Sequence, residues 1–143
     1  METVAGGCHC GNIRVQARLT RPPPAYQPRA CECSFCRKHG AAWLSDPQGA
    51  LHIGLRDERD VARYRQGSGA AELVLCRRCG VLVAAVLSAD ERRYAAVNSQ
   101  ALEAVAQFGA PQTVSPQSLS GEEKLKRWQT LWFSDVTVEC ARR

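Results

Sequence analysis

The chain has 143 residues, 45% hydrophobic and 23% charged, which suits one globular domain spanning 1–143 and excludes a disordered, fibrous or two-domain protein. Its net charge of +5 arises from 19 Lys and Arg against 14 Asp and Glu dispersed along the chain, which argues against a nucleic-acid partner. No stretch approaches the roughly 18 apolar residues of a membrane span, and the N-terminal residues lack a basic and an apolar signal region, so a cytoplasmic, reducing setting is expected.

From Asn12 to Leu19 the polar residues Asn12, Arg14, Gln16 and Arg18 alternate with Ile13, Val15, Ala17 and Leu19, which predicts a half-buried strand. Pro22, Pro23, Pro24 and Pro28 make 21–29 a stiff connecting loop. Further strands are expected at 41–45, 51–55, 61–65 and 71–75, separated by turn signals at Asp46-Pro47, Gly49 and Gly67-Ser68-Gly69. The continuous apolar run 81–87 suits a central strand, 92–97 another, and together these strands form an antiparallel meander. Asn98 to Phe108 reads as a short helix capped by Asn98 or Ser99. Ser120 and Glu123 make a capping box before Leu125, Trp128, Leu131 and Trp132 at helical spacing. The stretch 111–118 is left as a loop, and 135–139 alternates as a last strand.

Eight cysteines in a reducing compartment favour metal over disulfides. Cys8-His9-Cys10-Gly11 and Cys76-Arg77-Arg78-Cys79-Gly80 are two short-spaced pairs far apart in sequence. This is the form of a four-thiolate zinc site in which each tight turn gives two ligands. The glycine after each pair permits left-handed backbone angles and a close approach of N–H groups to sulfur.

Between them lies Cys31-Glu32-Cys33-Ser34-Phe35-Cys36-Arg37-Lys38. Three ligands on a zinc leave a fourth position for water or substrate, so Cys31, Cys33 and Cys36 are the candidate catalytic site, and alternation turns Glu32 outward. Arg37 and Lys38 are the candidates to receive an anionic group such as a carboxylate. Two other readings of the triad stay open: a second structural site closed by Cys140, His9 or His39, and a redox triad. Cys140 itself reads as a bystander, and His52 as uninvolved. The Trp128, Leu131, Trp132 and Phe133 cluster reads as core rather than pocket.

In order and spacing, Gly6-Gly7-Cys8-His9-Cys10-Gly11-Asn12-Ile13-Arg14, the triad segment and Cys76-Arg77-Arg78-Cys79-Gly80 resemble the glutathione-dependent formaldehyde-activating enzyme family, which includes the centromere protein V group. The resemblance implies a mainly β architecture, the β-tent fold of antiparallel sheets pinned by zinc, with one or two short helices. It implies two zinc ions per chain, a structural one on Cys8, Cys10, Cys76 and Cys79 and a catalytic one on Cys31, Cys33 and Cys36. The implied partners are glutathione and a small aldehyde, and the implied reaction is their condensation to S-(hydroxymethyl)glutathione, a carbon–sulfur lyase run in reverse. The rival from another class is a non-catalytic, zinc-stabilised binding module for a protein or nucleic acid, with its second site closed. A homo-oligomer is compatible with either.

Overall fold

The computed structural model describes residues 2–67, 69–115 and 119–141. In chain order the elements are β1 (Glu2–Gly7), β2 (Ile13–Leu19), β3 (Arg29–Cys31), α1 (Ser34–His39), β4 (Ala42–Leu44), β5 (Ala50–Leu55), β6 (Val61–Tyr64), β7 (Ala71–Cys76), β8 (Leu82–Ala89), β9 (Arg92–Asn98), β10 (Gln112–Val114), α2 (Gly121–Leu131) and β11 (Asp135–Cys140).

The alternation at 13–19 makes β2 a strand whose Ile13, Val15, Ala17 and Leu19 are buried while the residues between them face outward. Its buried face is continued by Leu51, Ile53 and Leu55 of β5, in a four-stranded sheet ordered β1-β2-β5-β11. The second sheet has seven strands, ordered β10-β3-β4-β9-β8-β7-β6; the antiparallel meander expected from 41 to 97 holds only for β6 to β9, because β5 joins the first sheet beside β2 and β4 pairs with β9. The apolar run of β8 is buried on both faces. Val83 and Ala84 join the core shared with the first sheet, and Leu82, Ala85 and Leu87 join a second apolar cluster with Trp43 and Trp132. This second cluster is the floor on which the helices rest.

The sheets are antiparallel except at two edges, where β11 pairs with β5 and β10 with β3 in parallel. The helix expected over 98–108 is instead two 3₁₀ turns, Ser99–Ala101 and Val105–Gln107. Tertiary bonds override the local pattern there: Leu102 bridges to Gly6, and the Glu103 N–H donates to the Ala5 carbonyl at 2.9 Å, laying the segment along β1. The 111–118 loop contains the edge strand β10, residues 116–118 of that loop and Ser68 of the 67–69 turn lying outside the described residues. The proline-rich loop 21–29 holds a 3₁₀ turn at Pro23–Ala25 and ends as β3 begins. The α2 capping box forms as read: Ser120 Oγ accepts from the Glu123 N–H at 3.1 Å and Glu123 Oε1 accepts from the Ser120 N–H at 2.9 Å.

Past β4, buried Asp46 ties three segments together. Its Oδ2 accepts from Tyr26 Oη at 2.5 Å and Thr20 Oγ1 at 2.7 Å, and its Oδ1 accepts from the Gln48 N–H at 2.9 Å. Burial alone would raise this carboxyl, but the donated hydrogen bonds outweigh it and hold the group at about 2.

Candidate metal centres

The first pair, Cys8 and Cys10, sits on the connection from β1 to β2, and the late pair, Cys76 and Cys79, on the turn from β7 to β8. The cluster therefore joins the two sheets. All four sulfurs lie within 4.8 Å of one another, with Cys8 to Cys10 at 3.7 Å and Cys10 to Cys76 at 3.5 Å. Tetrahedral ligands about 2.3 Å from a zinc stand about 3.8 Å apart, so the donor set fits the ion in type, number and spacing. Gly11 and Gly80 adopt φ of 89° and 81°, as their place after each pair requires. The Ile13 N–H donates to Cys8 Sγ at 3.2 Å and the Cys79 N–H to Cys76 Sγ at 3.5 Å. Buried Asn12 anchors the first turn, donating to the Asp57 and Asp60 carbonyls and accepting from the Asp57 N–H at 3.0 Å.

Burial pushes the Cys8 thiol up and the Cys76 thiol up to about 12. At Cys79 burial acts in the same sense, but N–H groups of Val81 and Cys10 and the neighbouring thiols outweigh it and lower the group to about 6. A metal taken up here displaces protons from the raised thiols.

The second cluster is built differently. Cys31 ends β3, Cys33 caps α1 and Cys36 lies within that six-residue helix, an element to which the sequence reading assigned no secondary structure. The Cys36 N–H donates to Cys33 Sγ at 3.4 Å and the Cys33 N–H to Cys31 Sγ at 3.5 Å. The three sulfurs lie within 4.8 Å of one another, and among the described residues no other His, Cys, Asp or Glu ligand atom joins them. A hydrogen bond from Cys36 is the main reason that Cys31 is lowered to about 6. The same bond, with burial, raises Cys36, whose sulfur also accepts from the Trp43 indole. Three thiol donors fit a zinc ion and leave one tetrahedral position without a protein ligand.

The triad lines a cavity of about 160 Å³. Its walls are mostly apolar, with Trp43 from β4 and Trp128, Leu131 and Trp132 from α2 and its end, together with three cations, Arg29, Lys124 and Arg127. Gln66 reaches in from beyond β6, its Nε2 donating to Cys33 Sγ at 3.8 Å. Burial and the nearby Arg127 charge lower the Arg29 guanidinium to about 10, which leaves it charged at neutral pH. Its Nη2 donates to Ser45 Oγ at 2.6 Å, and Ser45 in turn donates to the Leu131 carbonyl at 2.8 Å.

Arg37 and Lys38 are exposed on α1 and do not line the cavity. Glu32 is exposed, as alternation indicated. Neither His9, His39 nor Cys140 enters the triad: His39 packs on the Phe35 ring at 4.7 Å, and Cys140 lies in β11 opposite Leu55. His52 stands beside Glu139 at 3.5 Å, away from both clusters. The aromatic cluster is core only in part. Phe133 and Trp132 are buried core, but Trp132 also lines the cavity together with the half-buried Trp128 and Leu131, because α2 lies over the outer face of the second sheet beside the triad. Arg29 joins the site without having been a sequence candidate, although its place two residues before Cys31 puts the two on one face of a strand.

A family model described as glutathione-dependent formaldehyde-activating enzyme matches residues 3–119. The chain is also similar to a crystal structure of a Rhodobacter sphaeroides protein, a structural-genomics target. The TM-score is 0.59 and the identity 27%, covering 77% of this chain and 99% of that one. The helix α2 follows the stretch matched by the family model.

Proposed function

The chain belongs to the glutathione-dependent formaldehyde-activating enzyme family, and we propose that it joins the sulfur of glutathione to the carbon of formaldehyde, or of another small aldehyde, beside Cys31, Cys33 and Cys36. A carbon–sulfur bond forms, the carbonyl becomes a hydroxyl, and the thiol proton ends on that oxygen, so no oxidant or reductant is needed. A zinc held by the three thiolates would supply a Lewis-acidic position that stabilises a thiolate or polarises a carbonyl.

The observation that carries this reading is three convergent thiols lining a cavity with no fourth protein ligand among the described residues. Cys31, Cys33 and Cys36 would hold the metal, and the N–H groups of Cys33, Cys36, Trp43 and Gln66 orient their sulfurs. The apolar walls limit water around the reacting atoms, and the cavity cations favour an anionic thiol substrate. Cys8, Cys10, Cys76 and Cys79 take the structural role, a zinc there fastening sheet to sheet within one domain in a cytoplasmic setting. Arg37 and Lys38, outside the cavity, are assigned only an electrostatic bias toward anionic substrate.

The test is exchange spectroscopy by NMR on glutathione and formaldehyde, which also combine without a catalyst. Zinc-loaded protein should accelerate the exchange and Cys33→Ala should not. Equal rates with the protein and with buffer would reject the reaction.

A further inference from the structure

Five arginines on the described surface, Arg14, Arg59, Arg63, Arg65 and Arg78, stand beside a carboxylate of a nearby residue. The cations of the triad cavity do not. Among the described residues Arg29, Lys124 and Arg127 have no carboxylate partner, although all three are only half-exposed and share one small, mostly apolar space. Partly desolvated cations of one sign are unfavourable together unless something anionic joins them. Lys124 shares the cavity lining with Cys31. The two guanidinium groups remain without an anionic partner among the described residues.

Their placement is built in. Arg29 and Cys31 occupy one face of β3, and Ser45 accepts from Arg29 while donating to the Leu131 carbonyl, which links the guanidinium to the end of α2. On α2, residues 124, 127, 128 and 131 recur at the three- and four-residue spacing that gathers them on the face lining the cavity. Trp128 and Trp132 stack at 4.9 Å beside the cations and offer a flat wall for carbon chain.

We infer that Arg29 and Arg127 form a carboxylate-recognition site within the triad cavity, so that α2, beyond the family-matched stretch, selects thiol substrates carrying a carboxylate. This rests on the proposed reaction for the identity of the thiol. A carboxylate suits the guanidinium fork, which can give it two parallel hydrogen bonds, and the adjoining carbon chain lies against Trp128. Arg29 and Arg127 are specificity residues; the reacting sulfur and carbon stay at the cysteines.

The test is calorimetric titration of zinc-loaded wild type, Arg127→Gln and Arg29→Gln with glutathione, S-methylglutathione and glutathione diethyl ester, with bound zinc measured in each protein. Wild type should bind the two free acids about tenfold or more tightly than the ester, and Arg127→Gln should lose that preference while keeping its zinc. Arg127 lies on a helix with no buried residue, so its variant decides the matter even if Arg29→Gln fails to fold. Equal wild-type affinity for acid and ester, no binding of any of the three, or parallel losses for acid and ester in Arg127→Gln would overturn the inference. Lowered zinc content in Arg127→Gln would overturn it too, assigning the cation to charge balance at the thiolates. Arg127-dependent binding of S-methylglutathione without catalysed formaldehyde exchange would leave the carboxylate site standing and reject the reaction.

Discussion

The two cysteine clusters use the same donor atom and the same kind of short spacing, yet the fold treats them in opposite ways. Cys8, Cys10, Cys76 and Cys79 come from the ends of long strands in two different sheets, four thiols that fill a tetrahedron by themselves. Cys31, Cys33 and Cys36 come from one short strand and one short helix at a single place in the chain, and they supply three corners only. A cluster that joins distant segments stabilises the fold when it binds metal. A local cluster has little chain to fasten, and this one lines a cavity. The difference lies in what each cluster connects rather than in its ligands.

The contrast is broken most severely at Cys79. Structural zinc contributes on the order of 10 to 16 kcal/mol of apparent binding free energy, so Cys79→Ser should be unfolded at ambient temperature by circular dichroism. A folded Cys79→Ser variant with unchanged thermal stability would remove the structural role. Cys33→Ala should keep the melting temperature within a few degrees while its formaldehyde exchange falls at least about a hundredfold toward the uncatalysed rate. An unfolded Cys33→Ala protein would make the triad a second structural site.

A change away from both clusters calibrates these losses. Asp46, held at about 2 by its donors, should contribute about 2 kcal/mol, seen as the stability lost in Asp46→Asn by urea denaturation. A depressed carboxyl stabilises above its unfolded value near 4 and loses that effect as pH falls toward 2, so the Asp46→Asn loss should be equal at pH 8 and pH 5. A loss that grew between those values would place the titration elsewhere. The smallest effect is expected from Arg37→Ala with Lys38→Ala, which should change exchange kinetics by less than about threefold and mainly at low salt, since both side chains are exposed outside the cavity.

Much of this contrast was legible in the chain. Paired cysteines followed by glycine gave the four-thiol cluster, and the three-cysteine run gave the triad, because metal geometry demands close donors and leaves a strong local signature. Strands with strict alternation, such as 13–19, were found for the same reason. What escaped depended on packing between distant segments. Nothing local marks 99–107 as two tight turns, since its conformation is set by bonds to Ala5 and Gly6. The cavity wall escaped for a related reason: Trp128 and Trp132 have a core composition, and only the docking of α2 beside Cys31 shows what they face. Arg37 and Lys38 were chosen by nearness in sequence to the triad, whereas Arg29, Lys124 and Arg127 are near it in space.

The most direct test of a closed and an open cluster is metal stoichiometry on reduced, purified protein, repeated with Cys33→Ala and again with glutathione added to the cobalt-substituted forms. Two metal ions are expected in wild type and one in Cys33→Ala, with glutathione altering the cobalt spectrum only when the triad is intact. A single metal ion in both proteins, with a spectrum indifferent to glutathione, would contradict that distinction.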